Sequence, residues 1–282
     1  MANRRFHLLI IDPQNDFCDL PEDLRRGNMP ALPVSGAHAD MLRLAALIEQ
    51  GGAGIAEISV TFDSHQRLDI AHPGFWRQDD GSPPAPFTLI RAADVKAGKF
   101  RPRRADALSR VMAYLEALEA ARRYTHMVWP VHCELGSWGH NAHAAVRRAY
   151  NQWEEASGNS ARRILKGQNP WTEQYSAIRA EAPDAAAPDT GTNTALLARL
   201  GNADEILVAG EAGSHCVKAT VEDIAAALPA ERLTLLVDCM SPVAGFADAQ
   251  QGFFDDMNRC GARIATSADI LPELRANAGE DA

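Results

Sequence analysis

The 282-residue chain is 46% hydrophobic, enough to bury a full core within one large α/β domain or a domain that carries an insertion. Its 28 basic and 37 acidic residues give a net charge of -9 with no basic stripe, which argues against nucleic acid or an anionic membrane as the partner. The five scattered cysteines, at 18, 133, 216, 239 and 260, fit neither a secreted disulfide scaffold nor a structural zinc module and point to reduced thiols in a cytoplasm.

The first apolar run, FHLLIID (6–12), is too short for a signal-peptide core or a membrane span and reads as a buried parallel strand. ADMLRLAALIEQGG (39–52) has helical spacing with a glycine stop, and AGIAEISVTFD (53–63) is a second strand, completing a βαβ unit. Residues 74–104, with SPPAP and clustered charges, and a helix over 104–124 then lengthen the gap before the next strand; we read 74–124 as an insertion within a single domain spanning 1–282. Within it, Trp76 and FRPRR (100–104) are expected to pack and solvate the insertion, the other reading being contact with a larger substrate.

Further strands are expected over THMVWP (125–130), ARRILKG (161–167), ADEILVAG (203–210), RLTLLVDC (232–239) and ARIATSA (262–268), with helices over 141–157, 193–201 and 247–261. EAPDAAAPDTGTN (181–193) reads as an exposed, mobile loop, and the tail beyond Pro272 as frayed. Alternating strands and helices make an α/β fold with a mostly parallel sheet covered on both faces, in which ligands bind beyond the carboxyl ends of the strands. Asp12, Asp63, the 129–133 stretch, Lys166 and Cys216 all follow strands.

Cys216, in GEAGSHCVKAT, either packs at a strand-to-helix turn or sits in the first turn of a helix as an activated nucleophile. Asp12, in IIDPQNDF, either caps a loop or takes the proton of a nearby thiol and returns it to a leaving amine. Lys166 is either a solvated charge or the cation that holds Asp12 and favours the thiolate. In TFDSHQRLDIAHPGF, Asp63 and His65 point to one face of an extended segment; with His72 and His132 they form a ligand set suited to zinc, iron or manganese, with Asp69 a competing carboxylate.

Taken together, DPQNDF, the D-x-H…H set, WPVHC, KG…YSA and GEAGSHCVKAT stand in the order and spacing that resemble the nicotinamidase branch of the isochorismatase-like cysteine hydrolases, over most of residues 5–270. The resemblance implies a Rossmann-like three-layer sandwich, an Asp12–Lys166–Cys216 triad, and a divalent metal, zinc before iron or manganese, on Asp63, His65 and His132 with His72 as a further ligand. It also implies an oxyanion hole from the N–H groups of Ala212 and Cys216, a cis peptide within 211–213, and Phe17 and Trp129 lining the substrate pocket. The implied reaction is hydrolysis of a small aromatic carboxamide such as nicotinamide through a thioester, in a cytoplasmic homo-oligomer. Hydrolysis of a carbamoyl, ureido or larger amide on the same triad is the alternative; a vinyl-ether hydrolase of the same fold lacks the cysteine, and a non-catalytic metal-binding homologue would not use it.

Overall fold

Phe6–Ile11 forms β1, whose six residues are all buried. Phe6, Leu8 and Ile10 enter one core cluster, Leu9 and Ile11 another, as the two-residue period of a strand requires. A strand apolar on both faces needs cover on both, and the computed structural model, which describes residues 4–279, supplies it. The remaining strands are β2 (Ile55–Asp63), β3 (Trp76–Gln78), β4 (Leu89–Ile90), β5 (Phe100–Pro102), β6 (His126–Met127), β7 (Arg162–Lys166), β8 (Glu205–Gly210), β9 (Leu233–Leu236) and β10 (Arg263–Ala265). The helices are α1 (Glu22–Arg25), α2 (Ala37–Gly51), α3 (Ala92–Lys96), α4 (Leu108–Ala121), α5 (Ala144–Ser157), α6 (Thr194–Leu200), α7 (Lys218–Ala225), α8 (Ala247–Arg259) and α9 (Ser267–Ala278).

Six strands form the central sheet in the order β10-β9-β8-β1-β2-β7, every adjacent pair parallel. Helices α2, α5 and α9 pack on one face through Met41, Leu44, Val146, Trp153, Ile270 and Leu274. Helices α6, α7 and α8 cover the other through Leu196, Leu200, Val221, Ile224, Phe253 and Met257. The three-layer α/β sandwich expected from the sequence is therefore the observed fold. From β1 the chain builds outward to β2 and β7 on one side and to β8, β9 and β10 on the other, so the order reverses at β1 and β8. Such a reversal opens a crevice beyond the carboxyl ends of the strands, where Asp12 and the segment leading to Cys216 emerge.

Residues 74–124 supply most of a small separate core around Trp76, Ile90, Val111 and Leu115, completed by Ile70, Val128 and Ala182, with β3 antiparallel to β5. The strand expected at 125–130 departs from expectation: only His126–Met127 is extended, and it pairs with β4, away from the central sheet. The position beside β2 belongs to β7 instead. Arg123, just beyond α4, joins this unit to α7 through the Ala219 carbonyl at 2.7 Å, Asp223 at 3.1 Å and Glu222 at 3.2 Å. The 181–193 segment is the largely exposed loop expected, carrying one turn of 3₁₀ helix and a buried Thr190, whose hydroxyl donates to the Ala187 carbonyl at 2.6 Å. One other expectation is corrected. Beyond Pro272 the chain continues α9, started by a Thr266–Asp269 capping box and anchored by buried Leu274, so it is not frayed through Ala278. No described helix is long and apolar enough to cross a membrane.

Trp76 is fully buried and donates its indole N–H to the Ile70 carbonyl at 2.7 Å, while Arg103 and Arg104 stay exposed. The packing role is the one observed. Trp76→Ala should lower stability by about 3–5 kcal/mol, the usual cost of emptying a buried aromatic site. Urea unfolding measures it; a loss below about 1 kcal/mol would mean that the insertion core closes around the gap.

Candidate active site

Asp12 follows the last residue of β1 with a left-handed φ of 42°, a conformation that aspartate tolerates better than most residues. Thr61 of β2 accepts its N–H at 3.0 Å and donates its hydroxyl to Asp12 Oδ1 at 2.6 Å. The other oxygen, Oδ2, lies 2.9 Å from Lys166 Nζ. Lys166 ends β7, the outer strand of the sheet, yet its side chain is only 1% exposed because it runs inward beneath the end of β2. Its ammonium also reaches Asp63 Oδ1 at 3.0 Å, the Gln174 carbonyl at 3.0 Å and Cys216 Sγ at 3.6 Å. Asp12, Lys166 and Cys216, nearly the length of the chain apart, thus meet at one buried point.

Two carboxylates stabilise this cation. Burial alone would strip the proton from Lys166, but Asp12 and Asp63 outweigh it and hold the ammonium well above its ordinary range. Burial raises Asp12 against the pull of Lys166, with Asp63 adding to the rise. Asp63 is also pushed up by burial, but His65 and Lys166 together drive it well below the usual carboxylate range.

Cys216 lies in a wide π-helical turn, Gly213–Val217, that enters α7 directly after β8. The Glu211–Ala212 peptide before it is cis, inside the window that the resemblance implied. Gly213 donates to the Ser241 carbonyl at 2.9 Å, and His215 and Val217 both donate to the Ala212 carbonyl. Burial pushes the Cys216 thiol well above its normal value; Lys166 lowers it only in part, and Asp12 and Asp63 add to the rise. Burial and the two carboxylates thus oppose the thiolate that Lys166 and the start of a helix favour.

Beyond Asp63 lies a second constellation. Gln14 clamps the Asp63 backbone, accepting its N–H at 2.7 Å and donating to its carbonyl at 2.8 Å. Asp63 Oδ2 sits 3.0 Å from His65 Nε2 and 3.2 Å from His132 Nε2. His65 is brought alongside by backbone bonds to Cys133 and Leu135. Donor atoms of His65, His72 and His132 all fall within 4.8 Å of one another, and all three rings are buried. A carboxylate oxygen and imidazole nitrogens converging in this way fit a divalent cation. His72 Nε2 faces His132, 3.4 Å from its Nδ1. Asp69 Oδ2 lies 3.2 Å behind His65 Nδ1, and the Pro130 carbonyl 2.8 Å behind His132 Nδ1, contacts of the kind that orient ligating histidines. Asp69, a competitor for the metal in sequence, thus stands behind His65.

Phe17 and Trp129 face Cys216 across a cavity of about 30 Å3 that Tyr175, His215 and Glu173 also line. His215 is packed 5.3 Å from the Trp129 ring and is held neutral, its pKa lowered to about 4 by burial and Lys218. Burial raises Glu173 to about 7, and its Oε2 is buried without a partner. Sequence reasoning missed Gln14, Thr61, Glu173, Tyr175 and His215. Thr61 carried a signal, since a two-residue period puts it on the same face as Asp63; nothing local marked Glu173.

No protein-family model matches the chain, and no curated protein matches it in sequence. Solved structures do. A nicotinamidase/pyrazinamidase from Acinetobacter baumannii superposes with a TM-score of 0.62 at 18% identity, over 96% of this chain and 100% of that one. The yeast nicotinamidase Pnc1p, bound to the inhibitor nicotinaldehyde, gives 0.62 at 16% identity over 93% and 99% of the two chains. The pyrazinamidase of Pyrococcus horikoshii, in complex with zinc, gives 0.55 at 18% identity over 93% and 99%. The chain therefore has the nicotinamidase-type, isochorismatase-like fold, over nearly its whole length.

Asp69→Asn should weaken zinc binding about ten- to a hundredfold, the usual effect of losing the carboxylate behind a ligating histidine. Competition against a chromogenic chelator reads this directly, and an unchanged affinity would show that Asp69 does not orient His65.

Proposed function

We propose that the protein is a metal-assisted cysteine amidohydrolase that converts a small aromatic or heteroaromatic carboxamide, such as nicotinamide, to the acid and ammonia. The observation that carries this reading is Lys166 Nζ, 2.9 Å from Asp12 Oδ2 and 3.6 Å from Cys216 Sγ, beside a narrow aromatic cavity. The nicotinamidases and pyrazinamidases among its structural neighbours support it.

The raised Asp12 carboxylate takes the thiol proton as Cys216 Sγ attacks the amide carbon. The oxyanion meets the N–H groups of Ala212 and Cys216, each donor worth about 2.7–4 kcal/mol by analogy with other acyl-transfer sites. Collapse breaks the C–N bond, and Asp12 returns its proton to the departing ammonia. Water, deprotonated by Asp12, then cleaves the thioester, releasing the acid and restoring the thiol. Lys166 keeps its proton throughout and stabilises whichever of Asp12 or Cys216 is charged. Asp63, His65 and His132, with His72 as a further ligand, would hold a divalent metal, zinc before iron or manganese, which when bound supplies a Lewis-acid contact that orients the substrate's ring nitrogen. Phe17, Trp129 and Tyr175 stack and wall a flat ring. The aromatic walls of the cavity suit a flat ring. An ammonia-release screen across nicotinamide, pyrazinamide, ureides, carbamoylated amines and bulky aromatic amides tests the choice; a preference for the bulky amides would overturn it.

Cys216→Ala should abolish ammonia release by at least about a thousandfold, as loss of a covalent nucleophile does elsewhere. Activity within tenfold of wild type would remove the covalent route. The pH dependence has a definite sign. Asp12 works only when ionised, and its folded pKa is raised, so kcat/KM should fall as pH drops through a value above the ~3.9 of free aspartate. Lys166 and Cys216 both stand above their ordinary values, which leaves the neutral range flat. A rate that instead climbs only above about 8.5 would indicate simple titration of a free thiol.

A further inference from the structure

Behind the turn that presents Ala212 and Cys216 lies a second group of buried acids that the amide chemistry does not use. Glu211, the first residue after β8, is fully buried. Its Oε2 accepts the Ser241 N–H at 3.2 Å, and the Ser241 carbonyl accepts the N–H of Gly213 at 2.9 Å, so one residue grips the turn from both sides of Ala212. The Ser241 hydroxyl donates to Asp40 Oδ2 at 2.5 Å, and Asp40, 3% exposed, pairs through Oδ1 with Arg43. Both Asp40 and Arg43 belong to α2, the helix packed on the opposite face of the sheet from α7. The fit is close. A Cβ at Gly36, the residue before α2, would come within 2.8 Å of the Ser241 hydroxyl, and one at Gly213 within 2.1 Å of Gln250 Oε1 from α8.

We infer that Glu211 is a positioning residue for the oxyanion hole, tying the Ala212–Cys216 turn through Ser241 to Asp40 at the start of α2. This rests on the amidase reading above and adds to it a residue outside the triad and the metal ligands. Glu211 does so as a neutral carboxylic acid. Its Oε1 is buried without a donor, and a bare carboxylate there would stand uncompensated next to Asp40. Burial, with Asp40 adding to it, holds the Glu211 carboxyl well above the usual range, and Asp19 acts in the same direction. A neutral side chain can fill the site, bond Ser241 and leave the Arg43 charge to Asp40.

The test compares Glu211→Ala, Glu211→Gln and Ser241→Ala in steady-state hydrolysis of nicotinamide, alongside the rate at which iodoacetamide alkylates Cys216. Alkylation needs the nucleophile but no oxyanion hole. Glu211→Ala should lower kcat about ten- to a hundredfold, the range expected for a misplaced oxyanion donor, with KM within about threefold and alkylation unchanged. Glu211→Gln, neutral and nearly isosteric, should restore kcat to within about threefold of wild type. Ser241→Ala keeps the backbone bonds to Glu211 and Gly213 and loses only the Asp40 link; it should lower kcat about fivefold, and it serves if Glu211→Ala does not fold. Unchanged kcat in both Glu211→Ala and Ser241→Ala overturns the inference, as does a fall in alkylation that matches the fall in kcat. Failure of the wild-type protein to hydrolyse any carboxamide would instead overturn the amidase reading.

Discussion

The buried ammonium of Lys166 is the contact on which the site depends. A lone charge at 1% side-chain exposure would cost several kcal/mol in desolvation, and Lys166 is retained only because two carboxylates, a carbonyl and a sulfur surround it. Removing Lys166 would leave the buried Asp12 and Asp63 carboxylates without the cation they share, so the three hold one another in place. The same contact sets their chemistry. Lys166 restrains the rise of Asp12 and stands where it can stabilise a thiolate that burial otherwise disfavours.

The fold makes that meeting possible through its strand order. Asp12 directly follows β1 and Asp63 and Lys166 end β2 and β7, three adjacent parallel strands, and Cys216 follows β8 on the other side of β1. Parallel strands bring their carboxyl ends to one edge, so residues far apart in sequence converge there without long loops. Asp63 serves two neighbours, with Oδ1 on Lys166 and Oδ2 between His65 and His132. The histidine cluster and the thiol are thereby tied to one carboxylate, whose backbone Gln14 fixes in both directions.

The parts of this arrangement that were legible in the sequence are those with local signatures. The continuous apolar run of 6–12, the strand-like stretch 53–63, the helical period of 39–52, and polar residues standing just after apolar strands all reflect burial that neighbouring residues share. Tertiary competition decided the rest. MVW at 127–129 is as apolar as a central strand, but β7 occupies the place beside β2, and a short run carries no information about its partner. The tail beyond Pro272 reads as a frayed chain end, whereas α9 continues past the proline because Leu274 is buried and its backbone lies close over Gly54. Glu173 and Glu211 look like surface acids in sequence; both are buried by segments distant from them, and neither their burial nor their shifted ionisation has any local mark.

The covalent role of Cys216, supported by Asp12 and Lys166 as one unit, is tested most directly by trapping its acyl group during turnover. In nicotinamide hydrolysis with added hydroxylamine, a thioester on Cys216 should divide between water and the amine, giving the hydroxamate alongside the acid in a ratio that rises with hydroxylamine concentration. Ammonia released with acid as the sole organic product at every hydroxylamine concentration would contradict a thioester and place the attack on water instead.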